Sequence, residues 1–329
     1  MKIFRSSVFA AVLCLSLLSQ NAFSQTASIA SYPSRPVRLL VPFAPGGAID
    51  LIGRQIAAAL TESFGQTFVV ENRPGVGGLL ALEQVAGAPP DGYTLAVGSA
   101  GPLTMGPSLY KDRNFDPLTR FDPVIWYAST PGVLVVSPGV KADTVSALVE
   151  LSKASAQSLN MGSAGSGSIN HLMGEYFQEQ NAIKWLHIPF KGSAPALAEL
   201  MAGRLDVMMD IVPTAAPLVN SGKLRALAVT TPKRSSLLPN TPTLMELGYR
   251  DFDVSSWIAL MAPRGTPPEI VQKLNLALNK ALQIAAVRAR LSVIGAEPEG
   301  GGPERVTQRL KIEIPRWAGI IKSSGAAAE

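Results

Sequence analysis

Apolar residues in this chain gather into short runs that alternate with segments of helical spacing. The stretches 37–41, 68–70, 94–98, 124–127, 133–136, 159–162, 184–188, 206–209 and 224–229 are wholly apolar or alternate with period two, and read as strands. Between many of them the apolar period is helical, over 48–63, 79–87, 144–156, 169–180 and 194–202. Strand and helix taking turns is the rhythm of an α/β protein whose parallel sheets are covered by helices. Thr266-Pro267-Pro268-Glu269 is a capping box with proline at the first helical position, followed by Ile270, Leu274, Ala277, Leu278 and Ala281 on one face. A last helix carries Val306, Leu310, Ile314 and Trp317, with a kink expected at Pro315.

A chain of 329 residues is near the size at which one core splits into two. No repeat or long linker separates two halves, so the connections are expected to be short crossings near 129–132 and 251–255. That divides the chain into a first domain, 32–130 with 254–329, and a second, 131–253.

Lys2 and Arg5, the apolar stretch 8–18 and Ala22-Phe23-Ser24 read as an export signal over 1–24. Removing it leaves 27 basic against 24 acidic residues, a net charge of about +3 without clusters. That excess is too small and scattered for nucleic acid, and mildly favours acidic small molecules. The one cysteine, Cys14, lies in the leader, so the exported chain has no thiol.

The stretch 39–54 runs from an apolar strand through Pro42-Phe43-Ala44-Pro45-Gly46-Gly47 into a helix. Such a junction aims unpaired helix amides, and the positive end of the helix dipole, at whatever lies above the strand ends. Related junctions follow at 72–78 and 162–168, so several helix starts could converge on one small anion. Asp50 complements the first helix dipole or ties down the Gly46-Gly47 turn, and would repel a carboxylate unless the ligand also carried an amine or hydroxyl. Ser99, Ser163, Ser166 and Ser168 stand at strand ends or helix starts, where each alone is more often a cap than a ligand contact. Their shared placement is what favours binding. His171 follows the Gly/Ser turn by one helical step, His187 reads as structural, and Lys191 could neutralise an anion. Trp126, Trp185, Trp257 and Trp317 fall on apolar runs and read as core. Phe43 is the aromatic expected at the cleft.

Enzyme chemistry fails on counting. Two histidines and no remaining cysteine are too few ligands for the usual zinc and iron sites. No G-x-S-x-G elbow or P-loop occurs, and Gly165-Ser166-Gly167-Ser168-Ile169-Asn170 has Asn170 where a dinucleotide fingerprint needs its third glycine. Ser108-Leu109-Tyr110-Lys111 matches S-x-x-K without its companion motifs, and counts as chance. The competing reading is a secreted serine-dependent hydrolase or isomerase using a serine of the 163–168 turn with His171; it lacks a third partner. A structural or adhesive envelope protein would bind no small molecule tightly.

Longer motifs run through the chain: Val41-Pro42-Phe43-Ala44-Pro45-Gly46-Gly47 with Asp50 and Arg54, Glu71-Asn72-Arg73-Pro74-Gly75 with Gly77-Gly78, Pro90-Asp91-Gly92-Tyr93, Gly165-Ser166-Gly167-Ser168 with His171, Pro189-Phe190-Lys191-Gly192, and the stretch 222–230. In these the chain resembles the periplasmic substrate-binding receptors of tripartite tricarboxylate transporters, the Bug-type receptors. The resemblance implies a two-lobed periplasmic-binding-protein fold of type II-like α/β architecture, with two mixed or parallel sheets flanked by helices and two crossing strands. It implies a monomer in the periplasm that closes on a small carboxylate and delivers it to membrane permease subunits or a signalling partner. Nucleic acid, cofactor and metal have no place in that expectation. Backbone amides and ordered water hold the carboxylate in that family, which points to 43–47 and 163–168. The expected ligand-binding set is Phe43, Ala44, Gly46, Gly47, Asp50, Asn72, Ser99, Ser163, Ser166, Ser168, His171 and Asp210. After Ser99 the chain departs from relatives, which often carry Thr-His and an Asn-Pro where it has Gly101-Pro102-Leu103-Thr104-Met105-Gly106.

Overall fold

Three parallel strands, β1 (Val37–Val41), β2 (Phe68–Asn72) and β3 (Thr94–Ser99), begin the fold with β1 in the middle. The computed structural model describes residues 31–155, 157–190, 192–250 and 252–326; the expected leader, Cys14, Lys191 and Asp251 lie outside them. The 16-residue β4 (Phe121–Val136) leads to β5 (Asn160–Ser163), β6 (Leu186–Pro189), β7 (Val207–Ile211), β8 (Arg225–Val229), β9 (Ser255–Pro263) and the two-residue β10 (Glu297–Pro298). The strands lie in the order β2-β1-β3-β9-β4-β7-β5-β6, and β8 and β10 also pair with β4.

The helices are α1 (Ala48–Phe64), α2 (Leu79–Ala86), α3 (Gly106–Leu109), α4 (Pro117–Arg120), α5 (Val145–Ala154), α6 (Ile169–Asn181), α7 (Ser193–Met201), α8 (Val212–Asn220), α9 (Pro268–Ala281), α10 (Ala285–Val293) and α11 (Glu304–Ser324). Alternation along each strand sends successive side chains to opposite faces, and helices cover both. In the first lobe Leu39 and Val97 pack against Ile52, Ile56 and Leu60 of α1 and Leu274 of α9, while Leu40 and Ala96 face Leu79 and Leu82 of α2. In the second, Val133 and Val135 pack on Leu200 of α7 and Ala215 of α8; Leu134 and Val136 pack on Leu148 of α5 and Phe177 of α6. Each fully buried leucine contributes about 1.5–3 kcal/mol.

Two expected strands, 124–127 and 133–136, are one. β4 pairs with β9 up to Pro131 and with β7 and β8 from Gly132 on, so a single strand passes from the first lobe into the second. The second crossing runs beside its midpoint. Thr230 Oγ1 accepts from the Gly132 amide at 2.9 Å and donates to the Val254 carbonyl at 2.6 Å, tying both crossings together. β9 was not among the expected strands, because its unbroken apolar run carries no period to separate strand from helix. α11 continues through Pro315, and it does not stay with one core. Val306 and Leu310 pack into the core around α2 and β9, whereas Trp317, Ile320 and Ile321 pack into the core around α5 and α6, so α11 contributes to both.

Candidate functional site

The first strand-to-helix turn leaves β1 at Val41 and enters α1 through Gly46, whose φ of +89° favours glycine, and Gly47. α1 sits close on β1 because Gly53 has no side chain; a Cβ there would lie 2.9 Å from Val41 Cγ2. Asp50, buried one turn into the helix, accepts from the Gly46 amide and from Arg54 Nε, each at 2.9 Å. Asn72, at the end of β2, donates from Nδ2 to Asp50 Oδ1 at 2.8 Å and to the Phe43 carbonyl at 2.9 Å. Burial alone would raise the Asp50 carboxyl, but Arg54, the Gly46 amide and Asn72 together hold it below its ordinary value. Asp50 and Asn72 thus hold the turn in shape. Ala44, Gly46 and Gly47 form its exposed outer edge.

The second turn leaves β5 at Ser163 and enters α6 at Ser168. Ser168 caps the helix: its Oγ accepts from the His171 amide at 3.3 Å and donates to the Gly165 carbonyl at 2.6 Å. Ser163 Oγ, fully buried, accepts from the Gly165 amide at 3.1 Å and lies 2.6 Å from His187 Nε2. The His171 and His187 rings stack 3.7 Å apart at 7°. His171 Nδ1 accepts from the Gly167 amide at 3.1 Å, and its Nε2 faces Glu175 at 3.5 Å. Burial, helped by the neighbouring His171, pushes the His187 imidazole down to about 4. Beneath the turn Asp210 accepts from Asn170 Nδ2, Ser193 Oγ and Thr214 Oγ1 at 2.7, 2.8 and 2.6 Å. Burial raises its carboxyl despite those donors.

Between the two turns lies a cavity of about 370 Å³. Phe43 and Ile49 reach it from the first turn, and residues 164–169 from the second. Ser99 at the end of β3 and Ser256 on β9 also line it, as do Pro102, Met105, Leu109 and Tyr110. The last four come from a single π-turn over Gly101–Met105, the α3 segment after it and Tyr110, the residue that ends α3. Four expected contacts are therefore brought together: Phe43, Ser99, Ser166 and Ser168. Asp50, Asn72, Ser163, His171 and Asp210 serve the turns from below, and Ala44, Gly46 and Gly47 are outside the lining. Ile49, Met105, Tyr110 and Ser256 were not expected; no period or spacing in the sequence marks them as cleft-facing.

A helix start has amides without intrahelical acceptors, and both turns present one beside this cavity. Nucleophilic catalysis has no competent arrangement here. Ser163 and His187 are in contact, but Ser163 has no exposed surface, and the His171 ring is engaged with the Gly167 amide. Among the described residues no group of three His, Cys, Asp or Glu side chains could hold a metal ion, and no helix is long and apolar enough to cross a membrane. A larger cavity of about 510 Å³, with Trp126, Arg288 and Arg305 in its wall, is lined by neither turn.

Comparison with known proteins gives a consistent result. The model of the tripartite tricarboxylate transporter family receptor matches residues 52–326. Protein BugT of Bordetella pertussis is 38% identical over 311 residues, covering 92% of this chain and 95% of that protein. Among solved structures, an R. palustris protein with adipate is 38% identical with a TM-score of 0.74, covering 90% of this chain and 99% of that one. MatC from Rhodopseudomonas palustris with bound malate is 34% identical with a TM-score of 0.70, covering 88% and 100%.

Proposed function

The chain belongs to the tripartite tricarboxylate transporter receptor family, whose members are receptors and not enzymes, and from that premise we propose that it captures a small organic acid between its lobes in the periplasm and hands it to membrane subunits of such a transporter. The observation that carries this reading is one cavity bordered by both strand-to-helix turns, Phe43 and Ile49 on one side and 164–169 on the other. Relatives solved with adipate and malate support a carboxylate as the class of ligand. No covalent step is required of any residue.

In this reading the carboxylate head sits between the starts of α1 and α6, held by backbone amides, with Phe43, Ser99, Ser166 and Ser168 around it. Asp50, Asn72, Ser163, His171 and Asp210 fix the turns that present those amides. Fixed amides suit the task because they need no reorganisation, and closing the cleft lowers the local dielectric around charge-assisted hydrogen bonds. The closing bodies are 32–130 with most of 254–329, and 131–253, with the end of α11 riding on the second. The ligand shifts an open-to-closed equilibrium by its preference for the closed form, and the receptor works as a monomer without cofactor.

Native mass spectrometry of freshly purified protein, followed by small-angle scattering with and without the acid it retains, tests the proposal. A retained organic acid and a smaller radius of gyration on adding it are expected. Conversion of that acid into product, or an unchanged radius at saturation, counts against it. A ligand present at about 100 times its Kd also adds roughly 2.7 kcal/mol to the stability, enough to read in a melting screen.

A further inference from the structure

We propose that the cavity behind the crossing strands is a second binding site, which takes a small acidic zwitterion with two carboxylates and one ammonium group. It is separate from the cleft. Ser256 of β9 lines the cleft and its neighbour Ser255 lines this cavity, so the two lie on opposite faces of the same crossing. At about 510 Å³ it has the volume of an ordinary small-molecule site. Its charged walls come from separate parts of the chain: Lys233 follows β8, Arg288 belongs to α10, and Glu297 belongs to β10.

Most charges around the cavity are already matched. Arg234 pairs with Glu246 at 2.8 Å, Arg305 pairs with Glu299 at 3.0 Å and lies over the Trp126 ring, and Asp253 pairs with Arg309. Lys233, Arg288 and Glu297 are not: among the described residues neither cation has a carboxylate partner, and Glu297 has no cation. Neutral donors hold Glu297 in place instead. Ser236 gives its Oε1 the amide at 3.3 Å and the hydroxyl at 2.8 Å, which leaves Oε2 open. The turn before β10 sets up this contact, because Gly295, with φ of +63°, packs where a Cβ would lie 2.5 Å from Pro213 Cγ and 3.0 Å from Leu237 Cδ1. Ser255 adds a hydroxyl: the residue is 2% exposed, and its Oγ has no hydrogen-bond partner among the described residues. A buried hydroxyl left so is rare. Two unmatched cations and one unmatched carboxylate are the complement of two carboxylates and one ammonium. A plain dicarboxylate would meet Glu297 as a like charge, and a simple amine would meet two cations, so complementarity selects the zwitterion.

Calorimetry with L-glutamate as the probe tests this assignment. Wild-type protein is expected to bind it, with at least a loss of about tenfold in Lys233→Ala and in Arg288→Ala, whose exposed side chains can be removed without disturbing a core. Where glutamate also enters the cleft, these variants lose one of two bound molecules and keep the other. Phe43→Ala, across the crossings, should leave the rear affinity within about twofold. Glu297→Gln keeps an oxygen for Ser236 and withdraws the charge. It should weaken glutamate at least about tenfold but leave glutarate, which has no ammonium group, bound no less tightly. No binding of glutamate at about 10 mM overturns the second site. So does binding that Phe43→Ala removes and the two cation variants leave untouched. Loss in the cation variants without loss in Glu297→Gln, or a parallel loss of glutamate and glutarate in Glu297→Gln, overturns the pairing of Glu297 with an ammonium group.

Discussion

The two strand-to-helix turns solve one problem with the same pair of residues and opposite electrostatics. Each rests on an Asn–Asp contact, Asn72 to Asp50 in the first lobe and Asn170 to Asp210 in the second, at 2.8 and 2.7 Å. Asp50 is bound to the turn itself through the Gly46 amide, and Arg54 at the surface offsets its charge. Asp210 touches hydroxyls and Asn170 instead, and has no exposed surface. The first turn therefore carries a built-in anion and spends an amide on it, which leaves it better suited to walling the cleft. The second caps its helix with a neutral serine and keeps its acid below, out of an incoming anion's reach. On the proposed reading the start of α6 therefore contributes more to holding the carboxylate between the two turns than the start of α1.

The largest expected effect separates the two aspartates. Asp210→Ala removes the common acceptor of Ser193, Thr214 and Asn170 in a dry site, and should cost about 2–4 kcal/mol in urea unfolding. Asp50→Ala also removes a partner of Asn72, but the Gly46 amide is at an exposed residue and Arg54 is half-exposed, so both can turn to water and the loss should be only about 1 kcal/mol. Equal losses would erase the distinction drawn above. Next in size is Ser168→Ala, which removes the α6 cap and should cost about 1 kcal/mol, whereas Gly47→Ser at the uncapped start of α1 should change stability by only a few tenths. A ligand-free loss at Ser168 matching that at Gly47 would mean the second turn does not depend on its cap.

These distinctions explain what could be read from residues alone. Repeating apolar runs revealed most strands and helices, because burial on a sheet face imposes a period. β9 escaped for want of a period, and α8 because Pro213 and Pro217 read as breaks although Pro213 stands in the first turn, where no amide bond is lost. β4 looked like two strands because Pro131-Gly132 sits at its middle; there the Gly132 amide bonds Thr230 rather than ending the strand. The turns themselves were plain from their Gly, Pro and Ser content. Their internal wiring was not. Asp50, Asn72 and Asp210 look like ligand contacts in sequence, but a buried polar side chain must be bonded: Asp50 and Asn72 bond the first turn, and Asp210 bonds the starts of the helices around it. Tyr110 and Ser256 reach the cavity only through long-range packing, which local spacing does not encode.

The last expected effect vanishes at neutral pH and belongs to the second turn alone. His187 stacks on His171, touches Ser163, and shares a cavity of about 440 Å³ with Glu175 and Lys184. Its folded pKa of about 4 lies below the ordinary 6.5, so the unfolded chain binds the proton more readily. Its contribution is complete above about pH 6.5 and is lost as pH falls from there through about 4. Glu175 and Asp50, held below their ordinary values, lose their contributions only nearer those values of 4.5 and 3.8. Asp210 and Glu313, raised by burial, act in the opposite sense but alike in wild type and His187→Gln, so comparing urea midpoints of the two proteins isolates the histidine at about pH 7 and about pH 5. Wild-type protein should lose stability between them, and His187→Gln, which cannot take up the proton, should lose less. If both fall equally, the stacked pair is not what makes the second turn sensitive to acid. If the difference is present and carboxylate affinity falls with it, the ring beneath Ser163 is also what keeps the α6 amides aimed at the cleft.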